Sequence, residues 1–213
     1  QCSNGKLGLG NTTSYSSPKQ VGALTDWSSV SSAYHHTATV KTDGTLWTWG
    51  FNGLGRLGLG NVTAYSSPKQ VGALTDWSSV SAGVAHTAAV KTDGTLWTWG
   101  TGADGRLGLG NVTNYSSPKQ VGTLTTWSSV SAGYLHTAAV KTDGTLWVWG
   151  ANGSGQLGLG NITAYSSPKQ VGTLTTWGTV VAGQLFTFAR TTGNALWAWG
   201  AGSNGKLGLG NTT

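Results

Sequence analysis

Short runs that alternate apolar and polar residues, separated by glycine-rich turns, make up most of the chain. Within residues 51–100 this alternation predicts strands at Trp77–Ser81, His86–Thr92 and Thr95–Trp99. An Asp-Gly pair separates the last two strands and favours a tight hairpin, because both residues tolerate positive φ. A fourth extended segment starts at Pro68, since proline suits the beginning or the edge of a strand. A unit of this length is therefore predicted to form four short strands.

The same pattern recurs every 50 residues without a gap. The second and third units are identical at 40 of 50 positions, and all 12 tryptophans fall at three recurring positions of the unit. Such a period indicates a repeat architecture in which each unit is stable only beside its neighbours. We therefore divide 1–213 as a single repeat array into repeats 1–50, 51–100, 101–150, 151–200 and a partial repeat 201–213.

The strand that closes each unit has apolar residues on both faces. In the second unit, Trp97 and Trp99 share one face, and Leu96 lies on the other. Both faces need cover, which is what stacked sheets provide. The chain also contains no glutamate and no methionine, which argues against surface helices. The prediction is an all-β protein, a β-propeller of four-stranded blades.

Four consecutive motifs carry a resemblance to a known family. L-W-x-W-G is followed by G-x-L-G-L-G, by S-S-P-x-x-V and by V-S-A-G-x-x-H-T-A-A-V-K-T-D-G, over the whole chain. This unit resembles the repeat of the regulator of chromosome condensation family of β-propellers. The resemblance implies a ring of usually seven blades. It also implies binding to a protein partner, as in the exchange factors for small GTPases and the secreted bacterial enzyme inhibitor in that family.

Four blades cover little more than half of a seven-bladed ring. Residues 203–213 repeat residues 3–13 without a change, so the two ends duplicate each other and do not supply complementary pieces. We therefore predict a part of a larger or multi-chain assembly. The expected partners are other copies of the chain or further repeats of a longer chain. The first residue, Gln1, is consistent with a processed form or a segment.

Charge is sparse and evenly spread. Charged residues are 8% of the chain, the net charge is +6, and the cations recur singly in each unit. We interpret them as a dispersed polar coat, and nucleic-acid binding is not favoured. Cys2, the only cysteine, excludes a disulfide within the chain. Its role stays open. Apolar runs are far shorter than the roughly 20 residues of a membrane span.

No residue set suggests an enzyme or a cofactor. His36, His86 and His136 could converge as metal ligands, but Phe186 occupies the same position in the fourth unit, and a structural role is the favoured interpretation. The aspartates form no pair for acid-base catalysis. No nucleophile elbow accompanies the serines, and the recurring glycine loop lacks the Lys-Ser/Thr ending of a phosphate loop. We predict no catalytic residues, no metal and no cofactor.

Five N-x-T motifs follow the glycine loops. Glycans would be attached there on a secretory route, whereas an Asn after Gly also forms a turn without any modification. The five candidate glycosylation sites are Asn11, Asn61, Asn111, Asn161 and Asn211.

Differences between such uniform units mark candidate recognition positions. They concentrate in the turn at residues 51–54 with its equivalents and in one pair of residues per unit. Loops on a rigid scaffold commonly carry recognition, although relaxed constraint gives the same variation. The aromatic members, Tyr34 and Tyr134, are the candidate anchors. The candidate partner-binding residues are Tyr34, His35, Val84, Ala85, Tyr134, Leu135, Gln184 and Leu185.

Two function classes follow from these observations. The leading hypothesis is a non-enzymatic structural or adhesion protein, located extracellularly or on a virion surface, that assembles into rings or fibres and contacts a host-surface protein or glycan. The alternative is a soluble propeller that acts as a protein-protein binding module, either inhibitor-like or exchange-factor-like. A lytic enzyme ranks last, because paired carboxylates are missing.

Overall fold

Fifteen strands in four sheets account for the regular structure. The computed structural model describes residues 3–210, and within this range no helix is long and apolar enough to span a membrane. Short 3-10 turns occupy Ser3–Gly5, Gly53–Gly55, Ala103–Gly105 and Ser203–Gly205. The strands are β1 (Trp27–Ser32), β2 (His36–Lys41), β3 (Leu46–Gly50), β4 (Tyr65–Gln70), β5 (Trp77–Ala82), β6 (His86–Lys91), β7 (Leu96–Gly100), β8 (Tyr115–Gln120), β9 (Trp127–Ala132), β10 (His136–Lys141), β11 (Leu146–Gly150), β12 (Tyr165–Gln170), β13 (Trp177–Ala182), β14 (Phe186–Thr191) and β15 (Leu196–Gly200).

Each sheet is an antiparallel meander of neighbouring strands. Sheet one is β1-β2-β3-β4, sheet two is β5-β6-β7-β8, sheet three is β9-β10-β11-β12, and sheet four contains only β13-β14-β15. The fourth strand of a sheet comes from the following 50-residue unit, because β3 ends at Gly50 and β4 begins at Tyr65. The predicted strands are confirmed to within a residue or two, apart from the earlier start of β4.

The predicted hairpin turn is held by its aspartate. Gly94 has φ +76°, and the Asp93 carboxylate accepts hydrogen bonds from the Thr95 backbone N–H at 2.9 Å and from the Thr95 hydroxyl at 2.7 Å. These bonds, with the hydroxyl first, lower the pKa of Asp93. The Thr95 oxygen in turn accepts from Trp97 Nε1 at 2.9 Å, so the turn also orients a tryptophan.

Substituting Gly94→Ala should destabilise the fold by about 3 kcal/mol, because a methyl group would add left-handed strain and a clash. A Cβ at Gly94 would lie 2.2 Å from the carbonyl oxygen of Thr125, in the segment that precedes β9. Gly72 has a similar φ of +63° but nothing within 4 Å, so Gly72→Ala provides the matched control. Urea unfolding of both variants measures the difference, and equal losses would show that the contact with Thr125 is unimportant.

The sheets stack face to face in chain order, as predicted for propeller blades. Each sheet has an outgoing face towards the next sheet and an incoming face towards the previous one. Between sheets two and three, the outgoing residues Val90 and Leu96 share an apolar cluster with the incoming residues Trp127, Ala139 and Trp149. Equivalent clusters join the other two pairs of sheets. The first strands β1, β5, β9 and β13 contact one another in turn and line the inner side of the stack.

One row of lysines is buried against the tryptophans. Lys91 is 8% exposed, lies 5.1 and 4.7 Å from the ring centroids of Trp77 and Trp97, and forms an ion pair with Asp76 at 3.2 Å. Lys41 and Lys141 contact tryptophans in the same way. The interpretation of all cations as a dispersed surface coat is therefore wrong for this row, because cation–π contact compensates for part of the lost hydration.

Candidate functional site

Four of the predicted partner-binding residues line one groove at the inner end of the stack. Tyr34, Val84, Tyr134 and Gln184 follow the first strand of each sheet, and the small residues beside them, such as Gly83 and Gly133, leave space between the loops. Tyr34 is 72% exposed and Tyr134 40% exposed. The four sheets thus bring four side chains, two of them tyrosines, to a shared surface, which we call the axial groove.

The backbone of the second residue of each variable pair fixes the loop. The carbonyl oxygens of His35, Ala85, Leu135 and Leu185 each accept a hydrogen bond from the backbone N–H that follows a W-x-W-G motif, at 2.8–3.0 Å. These residues therefore fix the loop to the end of β3 and its equivalents. None of the four lines the axial groove.

Basic residues that the sequence analysis did not single out border the groove. Arg56 Nη1 donates to the Val84 carbonyl at 2.8 Å, Arg106 Nη1 to the Tyr134 carbonyl at 3.3 Å, and Lys6 Nζ to the Tyr34 carbonyl at 3.3 Å. The signal was present in the sequence, because a basic residue precedes the L-G-L-G motif in three successive units. Arg56 and Arg106 are each only 5% exposed, so they hold the loops of the groove in place, whereas Lys6 is partly exposed.

The variable turn at residues 51–54 joins the same end of the molecule. The Phe51 ring lies 5.6 Å from the His35 ring, and the Arg56 guanidinium lies 4.8 Å from the Phe51 ring centroid. Burial, followed by the charges of Arg56 and Lys6, lowers the pKa of His35. The variable turn at residues 51–54 and the variable pair Tyr34-His35 therefore form one continuous surface.

The three recurring histidines fasten each sheet to the next. His36 Nε2 lies 2.8 Å from the Thr87 hydroxyl, which itself donates to the Arg56 carbonyl at 2.7 Å. Because the hydroxyl hydrogen is used there, the threonine oxygen accepts from His36, and the proton must be on Nε2. His86 with Thr137 and His136 with Thr187 repeat the arrangement.

This arrangement leaves each histidine neutral. Nδ1 of His36, His86 and His136 is buried without a hydrogen-bond partner. Burial lowers the pKa of His36 to about 3 and that of His136 to about 4, and it also lowers the pKa of His86 well below its usual value. Each ring bonds a different threonine, so the side chains are committed to separate sheet interfaces.

All six aspartates have structural partners. Asp43, Asp93 and Asp143 hold hairpin turns, while Asp26 and Asp76 pair with lysines and Asp104 pairs with Arg106 at 2.7 Å. Among residues 3–210, no three His, Cys, Asp or Glu side chains form a cluster suited to a metal ion. The described carboxylates are therefore distributed among separate structural tasks.

The asparagines of the N-x-T motifs form turns. The Asn61 carboxamide oxygen accepts from the Thr63 backbone N–H at 2.9 Å, and its nitrogen lies 3.4 Å from the Tyr65 hydroxyl. Asn11, Asn111 and Asn161 repeat this Asx turn. Glycosylation at these positions stays a prediction that nothing in the fold requires. Cys2 and Asn211 lie outside the described residues.

Comparison with known proteins identifies the repeat. The model of the regulator of chromosome condensation (RCC1) repeat matches residues 3–40, 43–90, 93–140 and 143–190, and a second RCC1 model matches 77–106 and 127–156. The chain belongs to the RCC1 repeat family. The family predicted from its motifs is therefore confirmed. No curated protein sequence matches this RCC1-repeat chain.

Solved propellers share its fold. Prp20p from Saccharomyces cerevisiae superposes with a TM-score of 0.78 at 20% identity, over 87% of this chain and 48% of Prp20p. Human WBSCR16 superposes with a TM-score of 0.77 at 21% identity, over 87% of this chain and 50% of WBSCR16. The yeast RCC1 (Prp20) structure in complex with Kap60 superposes with a TM-score of 0.76 at 20% identity, over 86% of this chain and 46% of the matched chain. The RCC1-repeat chain spans about half the length of these proteins.

The expected extracellular or virion-surface location is wrong by this comparison. Prp20p is described by its binding to Gsp1p and histones, and yeast RCC1 by its complex with Kap60. Such partners are not those of a virion or an extracellular surface. The sequence-based expectation relied on repetition and low charge, which are properties of a repeat fold in any location.

Proposed function

We propose that this RCC1-repeat chain is a non-enzymatic protein-binding module whose axial groove contacts the partner. The observation that carries the proposal is the convergence of four variable side chains, Tyr34, Val84, Tyr134 and Gln184, on one groove of an otherwise uniform scaffold. Recognition residues on loops of a rigid framework are the common arrangement in binding proteins. The alternative of a protein-binding propeller is thus favoured over the structural or adhesion role.

The chemistry of the groove suggests the kind of partner. Exposed tyrosines supply large contact areas at low entropic cost, and they commonly anchor protein interfaces. Lys6, which is partly exposed, borders the groove without a carboxylate within ion-pair distance in the described chain, whereas Arg56 and Arg106 are each only 5% exposed and Arg106 is paired with Asp104. We propose a partner that presents apolar and acidic side chains. Proteins such as Gsp1p, which Prp20p binds, illustrate the class of ligand but not its identity.

Replacing both groove tyrosines in Tyr34→Ala/Tyr134→Ala should reduce partner capture at least about tenfold, because two aromatic anchors are lost. The immobilised chain and its variants are incubated with extract of the source cells, and retained proteins are quantified by mass spectrometry. The matched control is Val112→Ala/Ile162→Ala, which removes two exposed apolar side chains outside the groove. A stoichiometric partner that the tyrosine variant retains equally well would contradict the proposed site.

A further inference from the structure

A cleft recurs beside the first strand of sheets one, two and three. The cleft beside sheet three has a volume of about 420 Å³, and its equivalents beside sheets two and one have about 380 and 400 Å³. Each lies where the first strand begins, at Trp127 in sheet three, whereas the axial groove lies where that strand ends, at Ala132. The clefts are therefore separate from the axial groove, and we call the one beside sheet three the lysine cleft.

The walls of the lysine cleft are mainly apolar. Trp127 and Trp147 pack edge to face with ring centroids 6.3 Å apart, and both line the cleft. Leu124, which is 46% exposed, and Pro168 also line it. Residues of the same types line the equivalent clefts beside sheets one and two. A cleft of this volume with apolar walls and few polar groups is typical of a site for a small organic molecule.

One residue distinguishes the lysine cleft from its two equivalents. Lys141 lines it, whereas the corresponding Lys41 and Lys91 do not line the clefts beside sheets one and two. Lys141 Nζ lies 3.8 Å from the Trp147 ring centroid, compared with 4.7 Å between Lys91 Nζ and Trp97. The lysine of sheet three is thus placed differently from that of sheet two, although the other lining residues are the same.

The difference coincides with a missing carboxylate. Lys91 forms an ion pair with Asp76 at 3.2 Å, and sheet one has the same pair, but Thr126 occupies the aspartate position beside Lys141. Among residues 3–210, no carboxylate lies within ion-pair distance of Lys141. The backbone is unchanged, because the carbonyls of Asp76 and Thr126 both accept a hydrogen bond at 2.8 Å from the residue that follows the second strand. Only the charge has been lost.

Comparison with the fourth unit makes sheet three the exception. That unit has Thr176 at the aspartate position and Thr191 at the lysine position, so both charges are absent. Sheets one and two have both members of the ion pair, and sheet four has neither. Sheet three alone combines the lysine with an uncharged residue at the aspartate position.

The ammonium group of Lys141 lacks a counter-ion in a shielded place. The residue is only 9% exposed, and burial lowers its pKa against the opposing charge of Asp143. The Asp143 carboxylate itself is engaged by the Thr145 backbone N–H at 2.9 Å and by the Thr145 hydroxyl at 2.6 Å. A buried charge without a partner is costly, and a carboxylate that approaches it gains a charge-assisted hydrogen bond. A ligand carboxylate would therefore replace the missing aspartate.

We propose that the lysine cleft binds a small organic carboxylate with an aromatic or other apolar body. The carboxylate of the ligand pairs with the Lys141 ammonium, and its apolar body lies against Leu124, Trp147 and Pro168. The equivalent clefts beside sheets one and two do not bind such a ligand, because Asp26 and Asp76 already neutralise their lysines. This site is separate from the axial groove and goes beyond the proposed partner binding.

NMR titration of the isotope-labelled full chain at neutral pH tests the class of ligand. With 3-phenylpropionate as the probe, we expect saturable shifts of the Trp147 indole N–H signal and none of the Trp97 signal. The amide of the same acid lacks the charge, and acetate lacks the apolar body, so each should bind at least about tenfold more weakly. An amide that binds as tightly as the acid, equal shifts of the two tryptophans, or the absence of saturable binding at millimolar acid would overturn the proposal.

Exchanging one charge tests the origin of the site, with residues that neighbouring units already have at this position. Thr126→Asp gives Lys141 the partner that Lys91 has and should weaken binding of 3-phenylpropionate at least about tenfold. Thr126→Asn has nearly the same shape without the charge, so this matched control should bind like the parent chain. Conversely, Asp76→Thr should add a second site, seen as a shift of the Trp97 signal. Unchanged binding in Thr126→Asp, an equal loss in Thr126→Asn, or no response of Trp97 in Asp76→Thr would overturn the proposal.

Discussion

Lowering the pH from 7.5 to 5.0 should reduce the free energy of unfolding by about 6 kcal/mol, or about 2 kcal/mol for each of three buried histidines. His36, His86 and His136 are fully shielded from solvent, and burial holds their pKa values far below the usual 6.5. The unfolded chain therefore binds protons below about pH 6.5 that the folded chain does not. Stability is complete above that pH and decreases as the pH falls.

The aspartates of the three hairpin turns do not obscure this pH range. Hydrogen bonds from threonines lower the pKa values of Asp43, Asp93 and Asp143 below the usual 3.8. Their contribution is present above that value and is lost only as the pH falls further. Urea unfolding at fixed protein concentration between pH 7.5 and 5.0 therefore isolates the histidines.

A variant based on the chain itself provides the control. The fourth unit has Phe186 at the histidine position, on the open side of sheet four, and phenylalanine supplies a ring that cannot bind a proton. His36→Phe/His86→Phe/His136→Phe should remove most of the pH dependence between 5.0 and 7.5, and His86→Phe alone about one third of it. If the free energy of unfolding of the triple variant still decreased with pH as steeply as that of the parent chain, the histidines would not be the titrating groups.

Leu96→Ala should destabilise the fold by about 2–5 kcal/mol, because it leaves a cavity at a sheet interface. Leu96 is 0% exposed and belongs to the cluster that joins sheets two and three, together with Trp127 and Trp149. Since each sheet is stable only beside its neighbours, the loss acts on the whole stack. Urea unfolding at neutral pH measures it.

Leu196→Ala is the matched control for the same position of the repeat. Leu196 lies on the open face of sheet four and is 68% exposed. Because that side chain is already exposed, Leu196→Ala should change stability by less than about 0.5 kcal/mol. A loss for Leu96→Ala as small as that for Leu196→Ala would indicate that the interface between sheets two and three contributes little to stability.

The recurring signals in the chain predicted the sheets well. Alternation, the Asp-Gly turns and the 50-residue period placed β5, β6 and β7 correctly, because these signals act within a few residues. The start of β4 at Tyr65 was missed, since Tyr65 pairs with Gly50 through a register shift that depends on the neighbouring strand. The burial of Lys91 was missed for a similar reason, as it needs Trp77 and Trp97 from two other strands.

The lining of the axial groove was predicted only in part. Comparing the units identified Tyr34, Val84, Tyr134 and Gln184, which do line the axial groove. The same comparison included their neighbours, such as Leu135, whose carbonyl is used to fix the loop. It omitted Arg56, because a residue present in similar form in several units gives no signal of variation. Side-chain direction and distant partners decide such roles, and neither is written in the local sequence.

The amino-acid order by itself determined the repeat, its family and the chemistry of each turn, because these depend on residues that are close together along the chain. Only the tertiary structure decided which histidine bonds which threonine and which four side chains share a groove. These features join residues about 50 or more positions apart, and their geometry exists only once the sheets have stacked.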